Sequence, residues 1–160
     1  MFVSDGMVEP QTMALLPGSA FHLLWGADQA PTFPDDGVEP AHPAYFPPVG
    51  GYRFGWFTVP PAETAAPDGI DIAAGLAEVE QKLPGLMGHM EPDNPGMHTT
   101  DTIDFEVVLS GEVVLELDDG ARVTLREGDT VVQNGTRHRW SNEGSVPAVL
   151  AVFLCGAHRA

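Results

Sequence analysis

The stretch that decides the fold reads Gly-Met-His-Thr-Thr-Asp-Thr-Ile-Asp-Phe-Glu and runs from Gly96 to Glu106. It opens a series of short apolar segments that ends at Asn142. The first of them, Ile103 to Leu109, is rich in β-branched and aromatic residues and stops at a Ser-Gly pair. Such a run bounded by turn residues is typical of a β-strand. This part of the chain is therefore predicted to form a set of short strands.

A hairpin is predicted where the segments Glu112 to Leu117 and Ala121 to Leu125 flank an Asp-Asp-Gly loop. A three-residue loop with Gly120 left-handed sets Leu115 opposite Val123, so the apolar residues of both strands share one face. A two-residue loop would pair an apolar residue with a charged one, so we favour the three-residue loop.

Further strands are expected on both sides of this hairpin. Thr130 to Gln133 follows a tight turn, and the continuous apolar run Ala148 to Leu154 is typical of a covered strand. Towards the N-terminus, Phe21 to Trp25 and Tyr52 to Val59 are candidate added strands. The proline-rich segment 31–48 between them predicts an extended loop.

One helix is predicted at Asp71 to Leu83. Its apolar residues Ile72, Leu76 and Val79 recur at helical spacing, Asp71 can cap its start, and a Pro-Gly pair ends it. Because a glycine weakens it, we expect the helix to depend on packing of this apolar face against the sheet.

Alternation along the predicted strands groups the polar residues that could form a site. His98, Asp104 and Glu106 all have even sequence numbers, so in an extended chain their side chains face the same side. His138 and Trp140 form a second group that shares a side. Strands at short, regular spacing favour a barrel or sandwich, whose closure would bring both groups toward one interior.

The residues around these two groups resemble the sequence motifs of the cupin family. The first motif, with two histidines, a carboxylate and a glycine, matches His98, Thr100, Asp104 and Gly111. The second motif matches Gly128, Gly135, His138 and Asn142. Two departures concern the ligands, since Thr100 stands at the second histidine and Asp104 at the usual glutamate.

The resemblance implies an all-β fold, the cupin-type double-stranded β-helix or jelly-roll barrel, with an N-terminal extension and one short helix. It implies a single cupin domain over 1–160, with an extension at 1–84 and the barrel core at 85–156. It also implies a divalent transition metal held by His98, Asp104 and His138, with Fe(II) favoured and Zn, Mn, Ni or Co as alternatives.

The function expected from this resemblance is that of a metal-dependent enzyme acting on a small organic substrate, a dioxygenase or a decarboxylase or dehydratase. Glu106 and Gln133 are the candidate catalytic residues, and Glu106 or His89 could add a metal ligand. The candidate substrate-binding residues are Trp140, Arg53 and Thr100. The alternative is a non-catalytic cupin that binds or senses a small molecule.

Composition narrows the classes of partner. With 7 basic and 23 acidic residues among 160, the formal net charge is −16, which repels nucleic acids and anionic membranes. A single cysteine excludes an internal disulfide, and the N-terminus lacks the pattern of a signal peptide. We therefore expect a cytoplasmic protein that binds a small molecule. The resemblance to small cupins implies a homodimer, which an edge strand or the N-terminal segment could form.

Overall fold

A computed structural model describes residues 6–38, 40–65 and 68–160 as two β-sheets with a helix outside them. The five-stranded sheet has the order β1-β2-β8-β3-β6, and the three-stranded sheet has the order β5-β4-β7. The strands, all paired antiparallel within their sheets, are β1 Ala20–Ala27, β2 Tyr52–Val59, β3 Thr102–Ser110, β4 Glu112–Leu117, β5 Arg122–Arg126, β6 Thr130–Asn134, β7 His138–Ser141 and β8 Ala148–Gly156. The predicted all-β, jelly-roll class is confirmed.

The hairpin of β4 and β5 has the predicted register. Leu115 pairs with Val123 and Glu116 with Arg122, and Gly120 has φ +80°. A positive φ is costly for residues with a Cβ, which explains the glycine at this turn. Glu116 also forms an ion pair with Arg139, which links β4 to β7 in the three-stranded sheet.

The helix α1, Ile72–Lys82, begins as predicted at Asp71, whose side chain accepts a hydrogen bond from the Ala74 amide. Its buried face agrees with the predicted one at Val79 but not at Ile72. Ile72 is 60% exposed, whereas Gly75 and Val79 are buried. A Cβ on residue 75 would lie 2.4 Å from Leu15 Cγ, so the glycine allows the N-terminal segment to pack closely against the helix.

Two groups of buried apolar side chains stabilise the fold. Residues from β3, β4, β5 and β8 fill the space between the sheets: Val108, Val113, Leu115, Leu125, Ala148 and Leu150. A second group joins α1 and the short 3-10 helix Leu86–His89 to the N-terminal segment: Met13, Val79, Leu83 and Leu86. The N-terminal strands thus join the same sheet as β8, and the segment before them packs against α1. No helix in the described part of the chain is long and apolar enough to cross a membrane.

Candidate metal and substrate site

The two motif histidines are adjacent in the structure. His98 and His138 form an antiparallel bridge in which each backbone amide donates to the other residue's carbonyl oxygen at 2.9 Å. Their rings lie side by side, with centroids 4.2 Å apart and planes inclined by 50°. A backbone pairing thus holds the two imidazoles together, independently of any ligand.

Hydrogen bonds fix the tautomer of both imidazoles. His98 Nδ1 lies 3.0 Å from the Gly96 carbonyl oxygen, and His138 Nδ1 lies 2.9 Å from the Thr136 carbonyl oxygen. A carbonyl only accepts, so Nδ1 carries the proton in each neutral ring and Nε2 keeps its lone pair. Metal-binding histidines are commonly oriented by such a bond from the second ring nitrogen.

Burial keeps both rings neutral. It lowers the pKa of His98, an effect that the bond to the Gly96 carbonyl partly opposes. Burial and the neighbouring His98 lower the pKa of His138 to about 4. At neutral pH both Nε2 atoms are therefore available as electron-pair donors.

Two buried carboxyl groups from β3 line the same cavity as the histidines. Asp104 and Glu106 are 4% and 7% exposed, although aspartate and glutamate are rarely buried without a partner. Asp104 Oδ1 and Glu106 Oε2 have no hydrogen-bond partner among the described residues. Each such atom costs free energy, so the arrangement is suited to a ligand that satisfies it.

The shared burial changes the ionisation of these carboxyl groups. Burial raises the pKa of Asp104 to about 6, and burial together with Asp104 raises the pKa of Glu106 to about 8. In the metal-free protein at pH 7, Asp104 is therefore mostly ionised, and Glu106 holds a proton. Two carboxyl groups with separated pKa values can act as a proton donor and a proton acceptor.

The histidines and carboxyl groups lie in a cavity of about 440 Å³ between the sheets and the N-terminal segment. Its other walls are mainly apolar and aromatic, with Phe21, Tyr45, Phe57 and Trp140 as the large side chains. The Trp140 ring stands edge-on to His138, with centroids 6.2 Å apart and an angle of 86°. The volume is that of a small-molecule site.

The residues present fit a divalent metal by their chemistry. Two neutral imidazoles and two carboxyl groups are the donor types that zinc and non-haem iron bind, and the partnerless carboxyl oxygens suit a cation. Across residues 6–38, 40–65 and 68–160, however, no three His, Cys, Asp or Glu side chains are arranged so that they could hold a metal ion. The three-ligand set His98, Asp104 and His138 therefore stays a prediction.

Four other residues that the sequence suggested for the site, Thr100, Gln133, Arg53 and His89, are not among those that line the cavity. Thr100 is buried and its hydroxyl accepts a hydrogen bond from the Thr102 hydroxyl at 2.8 Å. Gln133 lies opposite Asp104 in the sheet, but its amide donates to the Thr136 hydroxyl. Thr100 and Gln133 therefore contact neighbouring threonines and do not face the cavity.

Arg53 has a structural environment. Its guanidinium donates to the Ala27, Ala44 and Tyr52 carbonyl oxygens and pairs with Asp28 at 2.6 Å. These bonds join β1, β2 and the proline-rich segment, and they occupy the donors that a substrate anion would need. His89 also lies outside the cavity lining, with Nδ1 donating to the Thr99 carbonyl oxygen at 3.1 Å.

Sequence reasoning missed Tyr45 as a cavity residue. Tyr45 lines the cavity together with Asp104 and Glu106, and burial, Glu106 and Asp104 all raise the pKa of its phenol. Tyr45 sits in the proline-rich segment, where its amide donates to the Pro84 carbonyl oxygen at 2.8 Å. No local pattern marks such a residue, because its position depends on how the loop packs over the sheet.

Comparison with known proteins agrees with the fold. Residues 87–155 match the family described as the cupin domain. A solved structure titled as a predicted oxalate decarboxylase from Thermotoga maritima superimposes with a TM-score of 0.51 at 13% identity, covering 97% of this chain and 98% of that one. Residues 87–155 thus match the cupin domain, and the fold of the chain is that of a cupin.

Fungal relatives share one part of the chain. Phomopsin biosynthesis cluster protein D of Diaporthe leptostromiformis is 52% identical over 58 residues, which are 36% of this chain and 31% of that protein. The cupin-domain-containing oxidoreductase srdD of Neurospora crassa is 37% identical over 62 residues, which are 36% of this chain and 32% of that protein. The matched part spans about a third of the length of these relatives.

Proposed function

We propose that this chain is a metal-dependent cupin enzyme that acts on a small organic molecule, with an oxidoreductase reaction favoured over decarboxylation or dehydration. The observation that carries the proposal is the histidine pair, whose free Nε2 atoms share a cavity with two buried carboxyl groups. The oxidoreductase class is supported by the name of the Neurospora crassa relative, and a role in small-molecule biosynthesis by that of the Diaporthe leptostromiformis relative.

His98, His138 and Asp104 would hold the metal in this proposal, with Fe(II) favoured and Zn, Mn, Ni or Co as alternatives. When bound, the metal would supply Lewis acidity and, in the case of iron, redox chemistry. Glu106 would remain beside it in the same cavity, where its carboxyl group can give up or accept a proton.

The cavity walls limit the charge of the substrate. No lysine or arginine is among the described residues that line the cavity, and the protein as a whole is strongly acidic. An anionic group away from the metal would therefore lack a counter-charge and lose its hydration. A neutral or cationic molecule with a sizeable apolar part fits the site, with Phe57 and Trp140 against that part.

A non-catalytic cupin that binds a small molecule is the second candidate. The observation that favours it is that no three potential ligands are arranged for a metal within the described residues. In that case the histidines would only donate or accept hydrogen bonds to a ligand in the cavity, and a metal would be dispensable.

Metal analysis separates the two candidates. Protein without a histidine tag, reconstituted anaerobically with Fe(II) or aerobically with Zn(II), should retain about one equivalent after desalting, as measured by plasma mass spectrometry. His98→Ala and His138→Ala should each lose this metal. The matched control is His158→Ala, because His158 is exposed near the C-terminus.

Two results would decide against the enzyme proposal. One is wild-type protein that takes up less than about a tenth of an equivalent of any of these metals. The other is metal uptake that His158→Ala reduces as strongly as the cavity variants do. Asp104→Asn then tests the third ligand, and His89→Ala tests whether His89 adds a metal ligand.

A further inference from the structure

The segment that follows β8 returns to the part of the chain that carries the site histidines. β8 ends at Gly156, and the Ala157 amide donates to the Asp101 carbonyl oxygen at 2.8 Å. This bond brings Arg159 beside the residues that connect His98 to β3. Arg159 does not line the cavity, so any effect it has on the site must act through the backbone that it contacts.

The Arg159 guanidinium joins two segments that are distant in sequence. Its Nη2 atom donates to the Thr100 carbonyl oxygen and to the Gly135 carbonyl oxygen, at 2.9 Å in both cases. Its Nε atom donates to the Asp101 carboxylate. A planar guanidinium can bind several oxygen atoms at once, because its N–H donors have fixed directions. One side chain thus links the two segments that carry the site histidines.

These bonds lie where the two segments have no strand pairing. The bridge between the histidines and the pairing of β3 with β6 are separated by a gap in the backbone ladder. Residues 99–101 and 135–137, which lie in this gap, belong to no strand. Arg159 bonds to both segments there, so its side chain connects them where strand pairing does not.

Gly135 allows the guanidinium to approach. Its φ is +58°, and a Cβ at this position would lie 3.1 Å from Arg159 Nη2 and 3.1 Å from the Thr100 carbonyl oxygen. A side chain would therefore press against both the donor and one of its acceptors. The next residue, Thr136, has the carbonyl oxygen that contacts His138 Nδ1. Arg159 thus holds the peptide group next to the one that orients the His138 ring.

The two carbonyl bonds distinguish Arg159 from an ordinary surface arginine. The side chains of Arg159 and Asp101 are 50% and 60% exposed, and an ion pair this exposed contributes little by itself. Arg126 on β5 has such an ion pair, with the Glu112 carboxylate at 2.8 Å. Arg159 differs because it also binds the backbone on both sides of the gap.

We propose that Arg159 is a positioning residue that fixes the distance between the His98 and His138 imidazoles by holding together the segments that carry them. The consequence for metal binding rests on the function proposed above. A metal held by both rings needs both Nε2 atoms at bonding distance at the same time. A pair of rings that can move apart therefore binds it less tightly, and loss of groups that orient ligands typically lowers metal affinity by about 10-fold to 100-fold.

Amide hydrogen exchange of the metal-free full chain, followed by NMR, tests the positioning itself. In Arg159→Gln the amides of His98 and His138 should exchange at least about tenfold faster than in wild type, because their bridge loses the neighbouring link. The amide of Leu150, which lies in the inter-sheet core, should exchange at the wild-type rate. A general loss of stability would accelerate all three amides.

The affinity for Zn(II), measured by competition with a chromogenic chelator, tests the consequence. Arg159→Gln should raise the Kd by about tenfold or more. Removing a positive charge from a protein of net charge −16 would by itself favour a cation, so a purely electrostatic effect would lower the Kd instead. Arg126→Gln is the matched control, because it removes the same charge from an exposed ion pair, and its Kd should be unchanged or lower.

The proposal is overturned if the histidine amides of Arg159→Gln exchange as in wild type, or if the Leu150 amide accelerates as much as they do. It is also overturned if wild type binds Zn(II) and Arg159→Gln binds it as tightly. If wild type binds no metal, the proposed function fails, and the exchange rates alone decide whether Arg159 positions the two histidines.

Discussion

The two sides of β3 contrast in a way that reverses the usual order of a sheet. The inner side carries Asp104 and Glu106, which are almost fully buried, whereas the outer side carries Ile103, Phe105 and Val107, with Phe105 nearly half exposed. A sheet with one covered face normally places apolar residues inside and polar residues outside. Natural proteins depart from such rules mainly at functional sites. The reversal therefore marks the inner side of this end of β3 as a candidate site.

The reversal is confined to one end of the sheet. Further along β3 and β8 the inner side is conventional, with Val108 and Leu150 fully buried between the sheets. One end of the sheet thus stabilises the fold, and the other end carries the candidate site. Variants at each of these positions test whether the division is real.

The largest effect on stability is expected from Leu150→Ala. Leu150 has no exposed surface and packs in the inter-sheet core, so truncation leaves a cavity and should cost about 3 to 4 kcal/mol of unfolding free energy. Urea denaturation at fixed pH measures it. A loss below about 1 kcal/mol would show that the conventional end does not stabilise the fold as described.

Glu106→Gln is expected to have an intermediate effect, and it should stabilise the metal-free protein where Leu150→Ala destabilises it. Burial and Asp104 raise the pKa of Glu106 to about 8, from about 4.5 in the unfolded chain. The carboxyl group is thus protonated in both states below the unfolded pKa and destabilises the fold increasingly as the pH rises toward 8. The amide removes this cost, so the variant should be more stable than wild type at pH 8, by a few kcal/mol, and about equal at pH 4.

Thermal unfolding across this pH range, with Glu127→Gln as the control, checks the prediction, because Glu127 is exposed in the turn before β6. Added Zn(II) should reverse the order of stability at pH 8, since a cation stabilises the ionised carboxyl group. A metal-free variant that is less stable than wild type at pH 8 would show that Glu106 is not an unfavourable buried charge.

The smallest effect on the folded monomer is expected from Phe153→Ala. Phe153 lies on the same strand as Leu150 but faces outward and is 38% exposed, so its loss should cost about 1 kcal/mol of unfolding free energy, measured by urea denaturation as for Leu150→Ala. An unfolding cost equal to that of Leu150→Ala would remove the contrast between the two sides of the sheet.

Much of the fold could be predicted from sequence because its signals are local. Alternation located β2, β3 and β4 to within a residue, and the position of Gly120 determined the register of the hairpin. The cap at Asp71 located the start of the helix. Val79 on its predicted apolar face is buried, but the burial of Gly75 could not be predicted, because it depends on Leu15 from a segment without periodic structure.

The site was predictable in its polar residues and not in its walls. His98, Asp104, Glu106 and His138 were grouped by parity and motif, and all four line one cavity. Tyr45 and Phe21 come from the N-terminal extension, whose packing over the sheet leaves no pattern in the sequence. Arg53 appeared to be an anion-binding residue because it is a rare cation, but only the structure shows the carbonyl groups and the Asp28 carboxylate around it.

X-ray absorption at the metal edge of the reconstituted protein tests the central claim most directly. The account predicts scattering from two imidazole rings together with oxygen ligands, and His98→Ala and His138→Ala should each remove imidazole scattering or the metal itself. A bound metal without imidazole scattering, or with scattering that neither variant changes, would contradict the assignment of this histidine pair as the metal site.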